Sequence, residues 1–250
     1  MSVFRLHSNA GLDVIGDVHG CIDELIELLA LLGHALPDGV SRPPSERVVV
    51  FVGDLCDRGP DTPAVFRLVQ AMCDEQRAVC VRGNHDHKLM RWLQGRKVSI
   101  AQGLELSIKQ MEPMEEHERQ GVMEFIDSMP THCIVNDNVV IAHAGIEDWM
   151  IDRDDTAVRA FTMFGTTDGE VDEFGLPNRR EWIHRHETEH RIVYGHTPVL
   201  SAEWFNNTID IDTGCVFGGS LTALRYPEMD LISVPARMTY ATRRRPFMDF

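Results

Sequence analysis

The chain has 250 residues, of which 43% are apolar and 25% charged, and a formal net charge of −15. These values are typical of a folded globular protein and exclude a disordered chain. The acidic balance argues against an extended face for duplex DNA, because phosphate backbones are bound by clustered Lys and Arg. A small phosphate site is still compatible with it, since bound metal ions supply local positive charge.

The six cysteines include no Cys-x-x-Cys pair, so the sequence signals neither a zinc motif nor a thioredoxin-like one. We expect reduced thiols and a cytoplasmic protein. The first ten residues lack the apolar run of a signal peptide, and no stretch approaches the roughly 18 apolar residues of a membrane span. We therefore predict no membrane association.

The first third of the chain alternates between apolar runs and segments of helical spacing. The predicted order is strand, helix, strand, helix, strand, over residues 12–15, 21–33, 48–52, 61–75 and 78–81. Helical crossovers between strands predict a parallel sheet with helices on its faces. The run at 48–52 is apolar throughout, so we expect it to be covered on both faces.

The rest of the chain is predicted to be helical over 86–129, with breaks near Gly95, Gly103 and Pro113, and strand-rich from 131 onwards. The segment 136–138 predicts a hairpin turn between two strands. We interpret the acidic and polar segment 146–190 as an insertion over the functional site. No boundary stands out, so we expect a single domain over residues 1–250 that ends in a tail at 237–250.

Six short blocks of Asp, His, Asn and Gly follow or lie beside apolar runs. They are Gly16-Asp17-Val18-His19-Gly20, Gly53-Asp54-Leu55-Cys56-Asp57-Arg58-Gly59, Gly83-Asn84-His85-Asp86, His143-Ala144-Gly145, Gly195-His196-Thr197 and Asp212-Thr213-Gly214. The first three each end a predicted strand, and ligands of open sheets collect at the carboxyl ends of strands. Carboxylate, imidazole and amide ligands at one sheet edge are what two adjacent divalent metals need, and such a centre is suited to attack phosphorus.

The individual side chains fit such a centre. Asp17 and His19 are two residues apart in an extended segment and point the same way, so one metal can take both. Asp54 follows the next strand, and later blocks supply three more candidate ligands: Asn84, His143 and His196. One carboxylate serving both metals would hold them roughly 3.5–4 Å apart. The donor mix favours two Mn²⁺ or Fe ions, with Ni, Co or Zn as alternatives that the sequence does not separate.

These blocks resemble the motifs of the calcineurin-like metallophosphoesterases, which have the forms GD-x-HG, GD-x-x-DRG, GNH-D/E, H-x-G and GH. The chain carries them as GDVHG, GDLCDRG, GNHD, HAG and GHT. The Asp57-Arg58-Gly59 extension resembles the branch of serine/threonine protein phosphatases and symmetrical dinucleoside tetraphosphatases. Longer stretches, among them GLDVIGDVHGC and NNTIDIDTGCVFGGSLTALRYPE, are similar to the phosphatase domain of bacterial polynucleotide kinase-phosphatases and to related PrpE-type tetraphosphatases.

The resemblance implies an α/β fold in which a two-sheet β-sandwich has flanking helices. It also implies a binuclear metal centre that hydrolyses phosphate esters by in-line attack of a metal-bridging hydroxide. Asn84 would contact the substrate as well as a metal. The two metal sites would share Asp54, one being completed by Asp17 and His19 and the other by Asn84, His143 and His196.

Catalytic and substrate-binding roles are implied in the same way. His85 would protonate the leaving oxygen, and Asp57 would hold its ring and stabilise the imidazolium. Arg58 would present its planar fork to phosphate oxygens. Arg82 is a second candidate for a phosphate contact, with an ion pair to a neighbouring carboxylate as the alternative. Asp212 is expected to support the site rather than to bind metal.

Three substrate classes stay open within this chemistry: 3′ or 2′,3′-cyclic phosphate ends of nucleic acids, dinucleoside tetraphosphates, and phosphoproteins. The leading expectation is a nucleotide or nucleic-acid-end phosphate of the 2′,3′-end-healing type, because the acidic composition favours small or end-bound substrates. A symmetrical dinucleoside tetraphosphate hydrolase and a serine/threonine protein phosphatase are the alternatives. A non-catalytic metal-binding scaffold is a separate alternative. Such a protein would be expected to lose its ligands or the His85–Asp57 pair, and all of them are present here.

Overall fold

The computed structural model describes residues 3–34, 47–166, 169, 181–243 and 246–248. The strands in this part of the chain are β1 (Phe4–Leu6), β2 (Leu12–Ile15), β3 (Val48–Phe51), β4 (Ala78–Cys80), β5 (His132–Val135), β6 (Val139–Ala142), β7 (Arg191–Tyr194), β8 (Trp204–Phe205), β9 (Thr208–Asp210), β10 (Ser220–Tyr226) and β11 (Asp230–Pro235). The helices are α1 (Ile22–Leu31), α2 (Thr62–Asp74), α3 (Asn84–Leu93), α4 (Leu104–Met111), α5 (Glu116–Ser128) and α6 (Thr156–Phe164).

The first sheet has the strand order β11-β10-β2-β3-β4. Strands β2, β3 and β4 are parallel, as the alternation of strands and helices predicted. The sheet is nevertheless mixed, because β10 runs antiparallel to both β2 and β11. Strands β10 and β11 are joined by a short turn and form a hairpin. This hairpin adds two strands to the parallel strands, and β10 pairs antiparallel with β2.

The second sheet has the strand order β1-β5-β6-β7-β9-β8. Strands β5 and β6 pair antiparallel with Val135 opposite Val139, which confirms the predicted hairpin turn at 136–138. Strands β1 and β8 were not predicted from the sequence. They are edge strands of three and two residues whose side chains are largely half-buried or exposed, so neither has a long apolar run to mark it.

The two sheets pack face to face, and helices cover their outer faces. Strand β3 illustrates the layers, because Val49 and Phe51 join the cluster formed with the helices whereas Val50 joins the cluster between the sheets. The prediction that 48–52 is covered on both faces is therefore confirmed. A second sheet covers one of those faces, where the alternation alone predicted helices. The architecture is the two-sheet sandwich with flanking helices that the resemblance implied.

The helices begin and end close to the predicted positions. Helix α2 starts where the Asp61 carboxylate accepts the backbone N–H of Ala64, with a proline in the first turn. The predicted helical stretch 86–129 corresponds to α3, which begins two residues earlier, and to α4 and α5. These helices are separated near Gly95, Gly103 and Pro113 as expected. No helix among the described residues is long and apolar enough to cross a membrane.

The described parts of the segment 146–190 pack on the outer face of the second sheet. Helix α6 and the 3-10 turns Asp148–Met150 and Glu181–Arg185 contribute to a third apolar cluster, in which Trp182 is buried. Residues 167–168 and 170–180 lie outside the described part of the chain. That the segment is an insertion over the site, and that residues 1–250 form one domain, remain predictions.

Candidate metal centre

The polar blocks converge where strands of both sheets reach their carboxyl ends. Asp17, Asp54 and Asn84 follow β2, β3 and β4 of the first sheet, and the remaining blocks follow β6, β7 and β9 of the second. Ligands collect at such an edge because every strand delivers its following residue to the same place.

One group of donor atoms surrounds the ring of His143. Its Nε2 lies 3.0 Å from Asn84 Oδ1, 3.0 Å from His196 Nδ1 and 3.4 Å from Asp54 Oδ2. The other ring nitrogen, Nδ1, lies 3.0 Å from the carbonyl oxygen of Val52. A carbonyl oxygen only accepts hydrogen bonds, so Nδ1 carries the proton of the ring. Nε2 therefore presents its lone pair toward the metal-binding atoms of Asn84, His196 and Asp54.

A second group lies on the other side of Asp54. His19 Nε2 is 3.7 Å from Asp54 Oδ2, and His19 Nδ1 donates to the carbonyl oxygen of Cys56 at 2.7 Å. The carboxylate of Asp17 accepts the backbone N–H of His196 at 3.2 Å. Asp54 therefore stands between the two groups, as expected of a carboxylate shared by two metal sites.

The donor set fits divalent cations. Two lone-pair donors, His143 Nε2 and Asn84 Oδ1, face each other at 3.0 Å, an arrangement that a cation between them stabilises. Burial raises the pKa of Asp17 well above its usual value, and the nearby carboxylates of Asp212 and Asp54 raise it further. Buried carboxylates crowded in this way are stabilised by positive charge. The residues present therefore suit the ions that the sequence predicted.

His85 and Asp57 form a buried dyad beside these donors. His85 Nδ1 lies 2.6 Å from Asp57 Oδ2, and the hydroxyl of Ser107 donates to the other carboxylate oxygen at 2.7 Å. Burial raises the pKa of Asp57 to about 6. The pKa of His85 is lowered well below its usual value by burial and then by the Arg58 guanidinium. Because Nδ1 faces Asp57, the Nε2 atom of the His85 ring is directed away from that carboxylate. A general acid would need its proton at such an outward-facing nitrogen.

Arg58 lies across the mouth of this arrangement. Its Nη1 donates to His19 Nε2 at 2.6 Å and its Nη2 to His85 Nε2 at 2.7 Å, while the guanidinium carbon lies 5.2 Å from the ring centre of Phe217. Burial and this cation lower the pKa of His19 well below its usual value, so the ring is a neutral ligand. Arg58 thus places positive charge beside the His19 and His85 rings.

Several site residues hold a backbone conformation that costs free energy. Positive φ values occur at non-glycine positions throughout the centre: His19 (46°), Asp54 (50°), Asp57 (72°), Arg58 (71°) and His196 (75°). Each such residue costs about 1–3 kcal/mol and persists only where its surroundings impose it. The clustering of strained residues at one place is typical of a functional site.

Asp86 helps to impose that conformation, a role that its place in the third block did not predict. Its carboxylate accepts the backbone N–H groups of Asp54 at 2.8 Å, Leu55 at 2.9 Å and Gly83 at 3.1 Å. Asp54 in turn accepts the N–H of His85 in the first turn of α3. A Cβ at Gly83 would lie 2.1 Å from Asp54 Oδ1, so this position must be glycine.

Two further supporting residues had no sequence signal. Ser107 in α4 reaches Asp57 across 50 residues of chain, and Phe217 reaches Arg58 from the other end of the molecule. Asp212 was expected to support the site, and burial raises its pKa to about 7 while its charge acts on Asp17. The Ser107–Asp57 and Phe217–Arg58 contacts both depend on the tertiary fold, which a single sequence does not reveal.

Arg82 is the predicted site residue that the structure places elsewhere. Its guanidinium donates to the carbonyl oxygen of Asp127 at the end of α5 and lies 3.7 Å from the carboxylate of the same residue. The ion pair that was the alternative for Arg82 is therefore present. A phosphate contact by Arg82 is a prediction that no observed contact supports.

Comparisons with known proteins identify the family of the chain. The family model described as calcineurin-like phosphoesterase matches residues 12–232. A protein from Anoxybacillus flavithermus named bis(5′-nucleosyl)-tetraphosphatase PrpE [asymmetrical] is 42% identical over 241 residues, which cover 94% of this chain and 98% of that protein.

Two solved structures have a similar fold. A "putative diadenosine tetraphosphatase" superposes with a TM-score of 0.70 at 25% identity, covering 94% of this chain and 98% of the other. A serine/threonine protein phosphatase from Saccharomyces cerevisiae superposes with a TM-score of 0.65 at 14% identity, covering 94% of this chain and 84% of the other, and shows a shared fold alone. With the family motifs meeting at one edge of the sandwich and the family model matching nearly the whole chain, this protein belongs to the calcineurin-like metallophosphoesterases, hydrolases of phosphate esters.

Proposed function

We propose that the chain is a binuclear metal-dependent phosphohydrolase whose substrate is a nucleotide phosphate, with a dinucleoside tetraphosphate as the first choice. The observation that carries the chemistry is the position of Asp54 between two donor groups, next to the His85–Asp57 dyad. Asp17 and His19 would complete one metal site. The other would be completed by Asn84, His143 and His196. We favour Mn²⁺, because oxygen and imidazole donors without thiolate suit it.

When bound, the two cations supply an activated water for in-line displacement and neutralise charge on the phosphoryl oxygens. Arg58 binds those oxygens through its planar fork. Burial first, and then the Arg58 guanidinium, lower the pKa of the His85 ring. When the guanidinium turns from His85 Nε2 to the phosphate, the second of these causes is removed, which favours uptake of a proton from solvent at Nε2. That proton passes from Nε2 to the leaving oxygen, while Asp57 holds Nδ1 and stabilises the imidazolium.

The substrate assignment is supported by the relatives. The Anoxybacillus protein, similar over nearly its whole length, carries the name of an asymmetrical tetraphosphatase. An asymmetrical hydrolase converts diadenosine tetraphosphate and water into ATP and AMP, whereas a symmetrical one gives two ADP molecules. The 2′,3′-cyclic or 3′-phosphate end of a nucleic acid is the second candidate, because long sequence stretches resemble the polynucleotide kinase-phosphatase domain.

Turnover on matched substrates tests this assignment. The Mn²⁺-loaded protein would be given diadenosine tetraphosphate, a 3′-phosphorylated oligonucleotide, its 2′,3′-cyclic form and a phosphopeptide at equal concentration, with products separated by chromatography. We expect the largest kcat/KM for the tetraphosphate, with ATP and AMP in equal amounts. A preference for the oligonucleotides would favour the second candidate, and a preference for the phosphopeptide would refute a nucleotide substrate.

Metal counting tests the binuclear arrangement separately. We expect about two Mn²⁺ per chain by elemental analysis. His196→Ala should lose one ion, and Asp54→Ala should lose both. His85→Ala is the matched control, since it should keep both ions while hydrolysis of an alkyl phosphate falls by about 10²–10⁴-fold. An Asp54→Ala variant that still bound two ions would refute the shared carboxylate.

A further inference from the structure

A second group of metal-binding side chains lies outside the phosphoesterase centre. Cys21 is the N-cap residue of α1, Glu24 lies in the first turn of that helix, and Cys215 begins the 3-10 turn Cys215–Phe217. Their Sγ and carboxylate oxygen atoms all lie within 4.8 Å of one another, and all three residues are at most 1% exposed. Three donors from distant parts of the chain thus face each other in the interior.

The Glu24 carboxylate provides an independent sign of a ligand. Its Oε1 accepts the backbone N–H of Arg237 at 2.9 Å and the hydroxyl of Tyr240 at 2.7 Å. Its Oε2 is fully buried and has no hydrogen-bond partner in the described part of the chain. An unpartnered carboxylate oxygen inside a protein is costly, so buried carboxylates are found paired or coordinating metals.

From this arrangement we infer that Cys21, Glu24 and Cys215 bind one Zn²⁺ ion at a site of their own. Two sulfurs and one carboxylate oxygen are a donor set that Zn²⁺ accepts, and tetrahedral coordination leaves one position for an oxygen ligand. Each cysteine releases its thiol proton to solvent as its sulfur–metal bond forms, and no electron is transferred. Hard Mn²⁺ does not favour thiolates, so this site selects a different ion from the phosphoesterase centre.

The site would join three parts of the fold. Cys21 and Glu24 belong to the start of α1, Cys215 to the turn that carries Phe217, and Tyr240 and Arg237 to the C-terminal segment, whose N–H groups also bind that turn. Because Phe217 lies against the Arg58 guanidinium, an ion here holds a wall of the phosphate site in place. The role is structural, since none of the three donors touches the groups that would react.

Cobalt absorption tests this inference on the full chain. The protein is reduced, stripped with a chelator and titrated with Co²⁺, which gives an intense near-ultraviolet thiolate charge-transfer band only when sulfur is bound. The phosphoesterase centre has no thiolate, so the band reports the Cys21–Glu24–Cys215 site alone. We expect the final band intensity to correspond to one thiolate-bound Co²⁺ per chain, in addition to Co²⁺ bound at the phosphoesterase centre, and we expect Zn²⁺ to remove the band.

Variants assign the band to its ligands. Cys21→Ser and Cys215→Ser should lose most of it, and Glu24→Gln should weaken Co²⁺ binding. Cys73→Ser is the matched control, because this thiol of α2 lies outside the cluster and should leave the band unchanged. His143→Ala should also keep it, which separates failure of this site from failure of the phosphoesterase centre.

Two results would overturn the inference: no charge-transfer band in the wild-type protein, or an undiminished band in Cys215→Ser. If the serine variants do not fold by circular dichroism, wild-type stoichiometry decides. The chain should then hold one more Zn²⁺ than Mn²⁺ when each metal is supplied alone. Equal numbers of the two ions would contradict a separate zinc site.

Discussion

Replacing Asp57 by Asn should impair proton donation without removing the metals. Asp57 Oδ2 lies 2.6 Å from His85 Nδ1 and both side chains are buried, so the contact is a charge-assisted hydrogen bond when the ring is protonated. Such bonds are worth about 1.5–3 kcal/mol. The pKa of His85 in the substrate complex should therefore fall by about 1–2 units, since one unit corresponds to about 1.36 kcal/mol.

The expected loss follows from that shift. At a pH above its pKa, His85 would be protonated about 10- to 100-fold less often, and kcat for an alkyl phosphate should fall by the same factor. A nitrophenyl phosphate has a leaving group that departs without a proton, so its turnover should change little. The assay is steady-state hydrolysis of both esters by the Mn²⁺-loaded protein, with bound metal counted by elemental analysis.

The control is Asp61→Asn, which removes another carboxylate but keeps an N-cap for α2. It should behave as the wild type on both esters. If Asp57→Asn slowed the alkyl and nitrophenyl esters equally, with its metal content intact, the dyad would not serve proton transfer. Loss of metal in the variant would equally refute the reasoning, because it would make Asp57 part of the metal-binding shell.

Three further predictions concern stability and metal affinity. Asp86→Asn should lower the free energy of unfolding, measured by urea titration, by about 1–3 kcal/mol. The Asp86 carboxylate accepts three backbone N–H groups with its two oxygens, and the single oxygen of an amide cannot accept all three. Gly145→Ala should destabilise the fold by about 1–3 kcal/mol or more, since a Cβ there would lie 2.0 Å from Trp182 at a φ of +91°. A variant as stable as the wild type would contradict either argument. Mn²⁺ affinity, measured calorimetrically, should fall as the pH drops below about 7. Burial raises the pKa of Asp212 to about 7, so below that pH a proton neutralises the Asp212 carboxylate, whose negative charge favours binding of the cation. Asp212→Asn should flatten this pH dependence, and an unchanged profile would exclude Asp212 as its source.

The convergence of the candidate ligands was predictable because each of them has a local signal. Asp54 and His143 sit in short Gly-flanked blocks next to apolar runs, and strand ends in such folds lie at one edge. The layer on the second face of β3 was not predictable, since an apolar run is the same whether a helix or a sheet covers it. Strand β1 was missed because it lies at an edge of the sheet with Phe4 and Arg5 exposed, so it has no apolar run that would mark it as a strand.

Contacts that span the chain were also beyond the sequence. Ser107 holds Asp57 through the packing of α4, and nothing near residue 107 marks it as part of a site. The pairing of Cys21 with Cys215 depends on α1 and the 215–217 turn meeting in the fold, whereas sequence patterns detect only closely spaced cysteines. What a single sequence lacks is the sum of weak tertiary interactions that bring such residues together.

The acceptors that orient His143 and His19 are main-chain oxygens, those of Val52 and Cys56. Substitution at either position leaves the backbone carbonyl in place. The tautomer of these two rings therefore depends on the path of the backbone and not on a particular side chain. The ring of His85 depends instead on a side-chain carboxylate that one base change can remove. On the proposed mechanism, a divergent copy of this gene would therefore lose proton donation to a poor leaving group in a single step while keeping every side chain that would hold the ions.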